Sequence, residues 1–462
     1  MKYIGETVKD LKLAYIGGGS RGWAWGLMAD LAADEQLSGK ISLYDIDFDA
    51  AKKNEIIGNR LSARSDVKGD WKYEAVHTLE EALTGADLVI ISILPGTLEE
   101  MSSDVHTPEK YGIYQSVGDT AGPGGLMRAI RTIPMYETIS KGIKECCPKA
   151  WIINYTNPMT LCTRSLYEMF PEIKAFGCCH EVFSTQDLFI QMLKDMEGIE
   201  GVCRNDIKVN VLGINHFTWI DRASYKGYDL LDLYKKFVDK YYESGFQNGD
   251  KEHWMNSYFS CSHRVKFDLF KRYGLAAAAG DRHLAEFLPP WYLKDPETVT
   301  SWMFGLTPVS WRLSQHMKIK EKSSRLVNGE EEVVIKKSGE EGIHQIKALL
   351  GLGDIITNVN IPNQGQMVGI PLGSVVETNA VFSRDSLRPV FAGKLPDDVQ
   401  SLVLRQVLNQ ETILRAALNR DKEMAFRAFI NDPLVTIDIV TARKLFDEML
   451  ENTKKYLPDW DI

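Results

Sequence analysis

The chain has 462 residues, of which 44% are hydrophobic and 25% charged, and its formal net charge is -9. An acidic balance excludes a general nucleic-acid binder, which needs a Lys/Arg surplus to neutralise phosphates, but leaves room for a small anionic substrate held by one or two placed arginines. The length exceeds what one core organises, so two intimately packed lobes are expected, residues 1–200 and 201–462. No apolar run is long enough to span a bilayer. Met1-Lys2-Tyr3-Ile4-Gly5-Glu6 lacks the cationic-then-apolar order of a secretory signal. Seven cysteines, an odd number, do not describe a disulfide framework. The expectation is a protein of the reducing cytoplasm with no membrane partner.

In chain order, Leu13-Ala14-Tyr15-Ile16 is a short apolar run stopped by glycines, a buried strand entering a tight turn. Trp23–Ala33 reads as a helix, 41–45 as a second strand ending in acid, and 48–64 as a long helix. Strands follow at 71–76, 87–92, 151–154 and 174–177, with helices at 134–145 and 158–169. Strands alternating with helices imply an α/β fold with a Rossmann-like, doubly wound parallel sheet. Beyond residue 201 the texture changes: longer strands at 207–212 and 217–225, then aromatic-rich and charged helices at 230–242 and 400–418. The charged stretch 318–341 carries Asn328-Gly329 between Lys/Glu-rich arms and reads as an exposed hairpin or flap. With no linker in sight, the second lobe is expected to be an interleaved α+β domain, as in lactate/malate dehydrogenases.

Gly17-Gly18-Gly19-Ser20-Arg21-Gly22 lies between the first predicted strand and helix. Gly17, Gly19 and Gly22 fit the dinucleotide pattern, which brings backbone and helix N-terminus to a pyrophosphate, with Ser20 inside the turn. Asp45 ends the next strand, where a carboxylate can accept from ribose hydroxyls and would repel a 2′-phosphate, so NAD is expected rather than NADP. Asn154 and Asn157, in Asn154-Tyr155-Thr156-Asn157-Pro158, end another strand on the same ligand-binding edge. At least one of them is expected to contact a ligand, with Asn154 on the cofactor side, although both could instead cap the helix starting at Pro158, Asn157 being a good N-cap before a proline.

Gly177-Cys178-Cys179-His180-Glu181-Val182 and Gly213-Ile214-Asn215-His216 offer a thiol and an imidazole. Cys179 and His216 are either a two-ligand metal site with open positions or buried core residues. Gly118-Asp119-Thr120-Ala121-Gly122-Pro123-Gly124-Gly125 is incompatible with a helix or central strand and sets Asp119 on a loop. Gly280-Asp281-Arg282-His283-Leu284-Ala285-Glu286-Phe287 gathers an acid, a base and a cation. Arg128 and Arg131, on a helix after the Asp119 loop, either face an anionic ligand or the surface.

Taken together, the glycine turn, Asn154-Tyr155-Thr156-Asn157-Pro158, Cys179-His180-Glu181-Val182, Asn215-His216-Phe217-Thr218-Trp219 and Gly280-Asp281-Arg282-His283 resemble glycoside hydrolase family 4, the NAD- and Mn²⁺-dependent glycosidases. The resemblance runs from the N-terminus to beyond the middle of the chain. It implies NAD and Mn²⁺ (or a similar divalent ion) as cofactors, with Cys179 and His216 as metal ligands. Phospho-glycosidases of the family carry Cys-Asn-x-Pro, absent here, whereas Cys-His-Glu-Val looks like the subgroup acting on α-galacturonides. The activity implied is α-galacturonide hydrolysis by C3 oxidation, C2 deprotonation, elimination, water addition and re-reduction, outside the two-carboxylate scheme. Asp281 is then the C2 base, Asp119 assists the leaving-group oxygen, and Asn157, Arg131, His180 and Glu181 contact the sugar. α-Glucuronidase or α-galactosidase activity, and a lactate/malate-type dehydrogenase, stay open as alternatives. The family further implies a homodimer or homotetramer acting on a small-molecule hexuronide.

Overall fold

A computed structural model describes residues 1–246, 259, 261–336, 339 and 341–462. Its strands are β1 (Lys2–Ile4), β2 (Thr7–Ile16), β3 (Leu37–Tyr44), β4 (Asp70–Val76), β5 (Leu88–Ile91), β6 (Trp151–Asn154), β7 (Lys174–Gly177), β8 (Ile207–Ile214), β9 (Phe217–Tyr225), β10 (Tyr228–Asp229), β11 (Ala276–Ala277), β12 (Ile355–Pro362), β13 (Val375–Ser383) and β14 (Ser386–Pro389). β4-β3-β2-β5-β6-β7 pair in parallel in that spatial order. This is the doubly wound dinucleotide topology, whose order reverses between β2 and β5. All four residues of β5 are buried, because helices cover both faces of a parallel sheet. β12, β13 and β14 then extend the sheet antiparallel from β7, through Asn360 opposite Gly177. Strands from late in the chain thus complete the sheet begun at the N-terminus, the interleaving expected from the sequence.

A smaller sheet is built on the β8–β9 hairpin, with β10 and β11 on β9. Its turn places His216 at φ 64°, the left-handed region that a branched-free polar residue enters only at a cost of about 1 kcal/mol or more.

Two expectations are corrected. The 318–341 stretch is not a hairpin: Val309–Asn328 is a helix ended by Gly329 at φ 77°, whose N–H bonds back to Leu326. Asn-Gly is a hairpin turn only between strands; after a helical run the same left-handed glycine is a C-cap. Residues 337, 338 and 340 of that stretch lie outside the described residues. Secondly, Gly122–Cys146 is one helix, so the glycines from Gly122 onward form its first turn. Pro123 is tolerated there because first-turn N–H groups need no helical partner. The glycines serve close packing: a Cβ on Gly125 would lie 2.5 Å from the Thr120 carbonyl carbon. No helix among the described residues is long and apolar enough to cross a membrane.

Candidate active site

At the carboxyl end of β2 the glycine turn is a cradle that side chains would fill. A Cβ on Gly17 would meet Ser92 O at 2.0 Å, and one on Gly19 would meet Asp45 Oδ2 at 2.9 Å. Gly22 holds φ 117° and caps the helix Trp23–Ala33. Asp45 accepts from Gly19 N through Oδ2 and from Asp47 N through Oδ1, so it fastens the turn while keeping further lone pairs. Asn54, unnoticed in the sequence, donates to Gly18 O and Ser20 O and fixes the loop's shape. Asn154 is turned inward. Its amide accepts from Tyr136 and Thr156 N and donates to Thr156 O, so it shapes the 154–158 loop rather than offering the amide to a cofactor.

Beside this edge the β8–β9 turn, the Asp119 loop and the short helix Asp281–Glu286 converge. Glu286 accepts from Val117 N and Gly118 N at 2.7 and 2.9 Å, and Arg282 donates to Ser116 O at 2.6 Å, locking loop to helix. The result is a trio: ligand-type atoms of Asp119, His216 and His283 all lie within 4.8 Å of one another. The two imidazole rings lie 3.8 Å apart, centroid to centroid. Thr120 donates its single hydroxyl proton to Asp119 Oδ1 at 2.7 Å. At its 3.1 Å contact with His216 Nδ1 the same hydroxyl must therefore accept, so Nδ1 carries the proton and Nε2 keeps a free lone pair. Burial, reinforced by His283, lowers His216 to about 3, so the ring is neutral, as a metal ligand must be. Burial is the largest single influence on Asp119 and opposes its ionisation, but Arg128, His283, His216 and the Thr120 hydrogen bond together outweigh it, and the carboxyl sits well below the usual range.

Cys179 is buried beside Asn215, the residue preceding His216, and burial with Glu377 and Glu181 nearby pushes its thiol well up. Glu377, from β13, is held between Asn215 and Asn358, and the latter also donates to Cys179 O. Several buried polar atoms here have no partner among the described residues: Asn157 Oδ1, Asn215 Oδ1, His283 Nδ1, Asp281 Oδ2 and Glu286 Oε2. Orphaned donors and acceptors cost about 1–3 kcal/mol each and mark a place that a polar ligand completes. A carboxylate and two imidazoles around such a point fit a divalent transition metal; Cys179, expected as a ligand, is not among the atoms that lie within 4.8 Å of one another.

The remaining assignments fall out unevenly. Asn157 does not cap the helix Met159–Met169; its Nδ2 donates to Asp119 Oδ2 at 3.4 Å and its carbonyl accepts from Arg128 Nε at 2.9 Å. Glu181 accepts from Gly280 N at 2.7 Å and lies 3.8 Å from His283 Nε2, tying the two halves of the site together. His180, exposed, stands at the head of the helix Glu181–Glu197. Arg131 is not brought into the site. It is 1% exposed, and its guanidinium is committed to Asp104 and Thr453. Asp281 lies outside the trio: Oδ1 accepts from Lys266 N at 3.1 Å, and burial raises the carboxyl to about 6. Thr120 and Glu377 were not singled out by sequence reading; His283 was read only as the base of the Gly280–Phe287 stretch, and the fold gives it its place beside His216 and Asp119.

Comparison with known proteins decides the family. Models described as family 4 glycosyl hydrolase and its C-terminal domain match residues 12–195 and 211–435. The chain belongs to glycosyl hydrolase family 4. This family 4 chain is 67% identical to an alpha-galacturonidase of Thermoanaerobacterium saccharolyticum, with 100% of both sequences covered. It is similar to the crystal structure of LplD from Bacillus subtilis, at TM-score 0.91 and 52% identity over 96% of this chain and 100% of that one. A 6-phospho-alpha-glucosidase from gut microorganisms, solved with NAD and Mn²⁺, shares the fold at TM-score 0.81 and 20% identity, covering 98% and 100% of the two chains.

Proposed function

We propose that this protein is an α-galacturonidase dependent on NAD and a divalent ion such as Mn²⁺. The reading is carried by one observation: the Asp119–His216–His283 trio, reached by Asn157 just past β6 of the dinucleotide sheet, sits on the turn whose Asn215 borders Cys179. The sugar class is supported by full-length identity to an alpha-galacturonidase together with Cys179-His180-Glu181-Val182. Gly17, Gly19, Ser20, Gly22 and Asp45 hold the nucleotide. Cys179 and His216 hold the ion, within reach of Asp119 and His283. When bound, NAD supplies reversible hydride uptake at C3 and the ion supplies Lewis acidity at the resulting carbonyl.

The residues themselves do the proton work. Asp281 accepts the C2 proton: its carboxyl is tuned toward neutrality by burial, and one oxygen has no partner. His283 is the second acceptor to consider, because its Nδ1 is also buried without a partner among the described residues. Asp119, fixed by Thr120, orients His216 through that hydroxyl and accepts from Asn157 Nδ2; to serve the leaving-group oxygen it must first take up a proton, which it then donates to that oxygen. The protein works as a homodimer or homotetramer in the cytoplasm on small hexuronides.

The test is hydrolysis of p-nitrophenyl α-D-galacturonide with NAD⁺ and Mn²⁺ in deuterated water. Deuterium enters at C2 and no NADH accumulates. Stoichiometric NADH would instead reveal a dehydrogenase, and retention of the C2 hydrogen would remove the elimination route.

A further inference from the structure

Resting on the α-galacturonidase reading, the structure raises a charge problem at the site. Asp119, Glu181, Asp281, Glu286 and Glu377 all place carboxyl groups in this region; Asp119 and Glu181 are held charged, while burial raises the other three. A uronide brings one more, which binds only against a cation with donors to offer. Most nearby cations are committed. Lys266 donates to Thr185 Oγ1 at 3.0 Å, Arg131 to Asp104, and Arg282 to Ser116 O, Gly305 O and Thr307.

Two guanidiniums remain among the described residues. Arg128 uses Nε on the Asn157 carbonyl, and its Nη groups make no hydrogen bond or ion pair among the described residues. Arg312, half-buried in the first turns of the helix Val309–Asn328, makes none at all among them. Its guanidinium lies 5.6 Å from the Phe259 ring centroid, and that of Arg282 lies 4.5 Å from the same ring. Arg312 is therefore tethered to the 281–286 helix across one aromatic ring. Burial lowers it below its usual value; Asp119 and Glu286 oppose the shift, and Arg128 adds to it, so all three are electrostatic neighbours.

Two like charges held near each other without an ion pair make an anion pocket. We infer that Arg312, with Arg128, receives the C5 carboxylate of the substrate and makes this site select acid sugars over neutral ones. The planar fork of a guanidinium grips a carboxylate with two donors, where a lysine offers only a point charge. Arg128 also fixes the Asn157 loop, so Arg312 is the residue that tests the pocket without disturbing its frame.

The experiment compares binding of D-galacturonate and D-galactose to the NAD⁺- and Mn²⁺-loaded protein by calorimetry. Wild type favours galacturonate. Arg312→Gln reduces that preference about tenfold or more, with galactose affinity unchanged, and Arg312→Lys recovers part of it. The pocket is overturned if wild type shows no preference, if Arg312→Gln keeps it, or if both sugars weaken equally. Hydrolysis of the p-nitrophenyl galacturonide is scored separately. Its absence removes the activity reading, while the binding ratio still decides the pocket.

Discussion

Thr120→Val isolates the orientation of His216. Valine keeps the shape of threonine and deletes the hydroxyl that accepts from His216 Nδ1 at 3.1 Å and donates to Asp119 Oδ1 at 2.7 Å. His216 is 4% exposed, so water does not replace the lost acceptor. Leaving that N–H buried and unpaired costs about 1–3 kcal/mol. The imidazole can recover it only by shifting its proton to Nε2 or by rotating, and either takes the lone pair from the metal position. Loss of such an orienting partner weakens metal affinity about 10- to 100-fold, in agreement with the hydrogen-bond figure. Titration with Mn²⁺ followed by electron paramagnetic resonance of the free ion measures this directly. NAD⁺ binding, read by fluorescence, stays unchanged, and Thr120→Ser restores the wild-type constant. An Mn²⁺ dissociation constant within twofold of wild type in Thr120→Val would refute the tautomer argument and the assignment of His216 as a ligand.

Asp281→Asn keeps NAD⁺ and Mn²⁺ affinity but loses C2 hydrogen exchange by about 10²-fold or more, measured by solvent deuterium incorporation; exchange that survives this change and disappears in His283→Asn moves the role to His283. Arg131→Ala leaves Asp104 buried and unpaired, and denaturant unfolding should show a loss of about 3–5 kcal/mol. The KM of the surviving folded enzyme stays at the wild-type value, and a raised KM would return Arg131 to the substrate. Asp432 accepts from Gly122 N and Leu434 N, and burial raises its folded carboxyl to about 6 from 3.8. The folded state therefore prefers the protonated acid: the stabilisation is complete below about pH 4 and is lost as pH rises through 6, up to about 3 kcal/mol. Stability of wild type relative to Asp432→Asn should fall across that window, and a flat difference counts against the shift.

The parts of the site that were legible are those carried by local pattern. A buried run, three glycines and a helix declare the nucleotide turn, because each residue's need is met within a few positions. Cys179 and His216 were named as ligands only through resemblance, since nothing local distinguishes a ligand thiol from a core thiol; the fold groups His216 with Asp119 and His283. Arg131 was misplaced because a helix position does not say which face is buried, and Asp104, its true partner, is 27 residues away. The Asn328-Gly329 pair was misread because its meaning depends on whether the preceding residues are strand or helix. Glu377 and Arg312 carried no signal at all, since only the folded chain brings β13 and the 309–328 helix to residues 119–216.

The late arrival of β12–β14 has a consequence during synthesis. Until residues 355–362 leave the ribosome, the outer rim of β7 has no neighbour, and its amide and carbonyl groups are open to any passing extended chain. A nascent or truncated product ending near residue 200 therefore exposes a sticky seam. Solubility of fragments should rise abruptly once they reach past residue 362, rather than gradually with length.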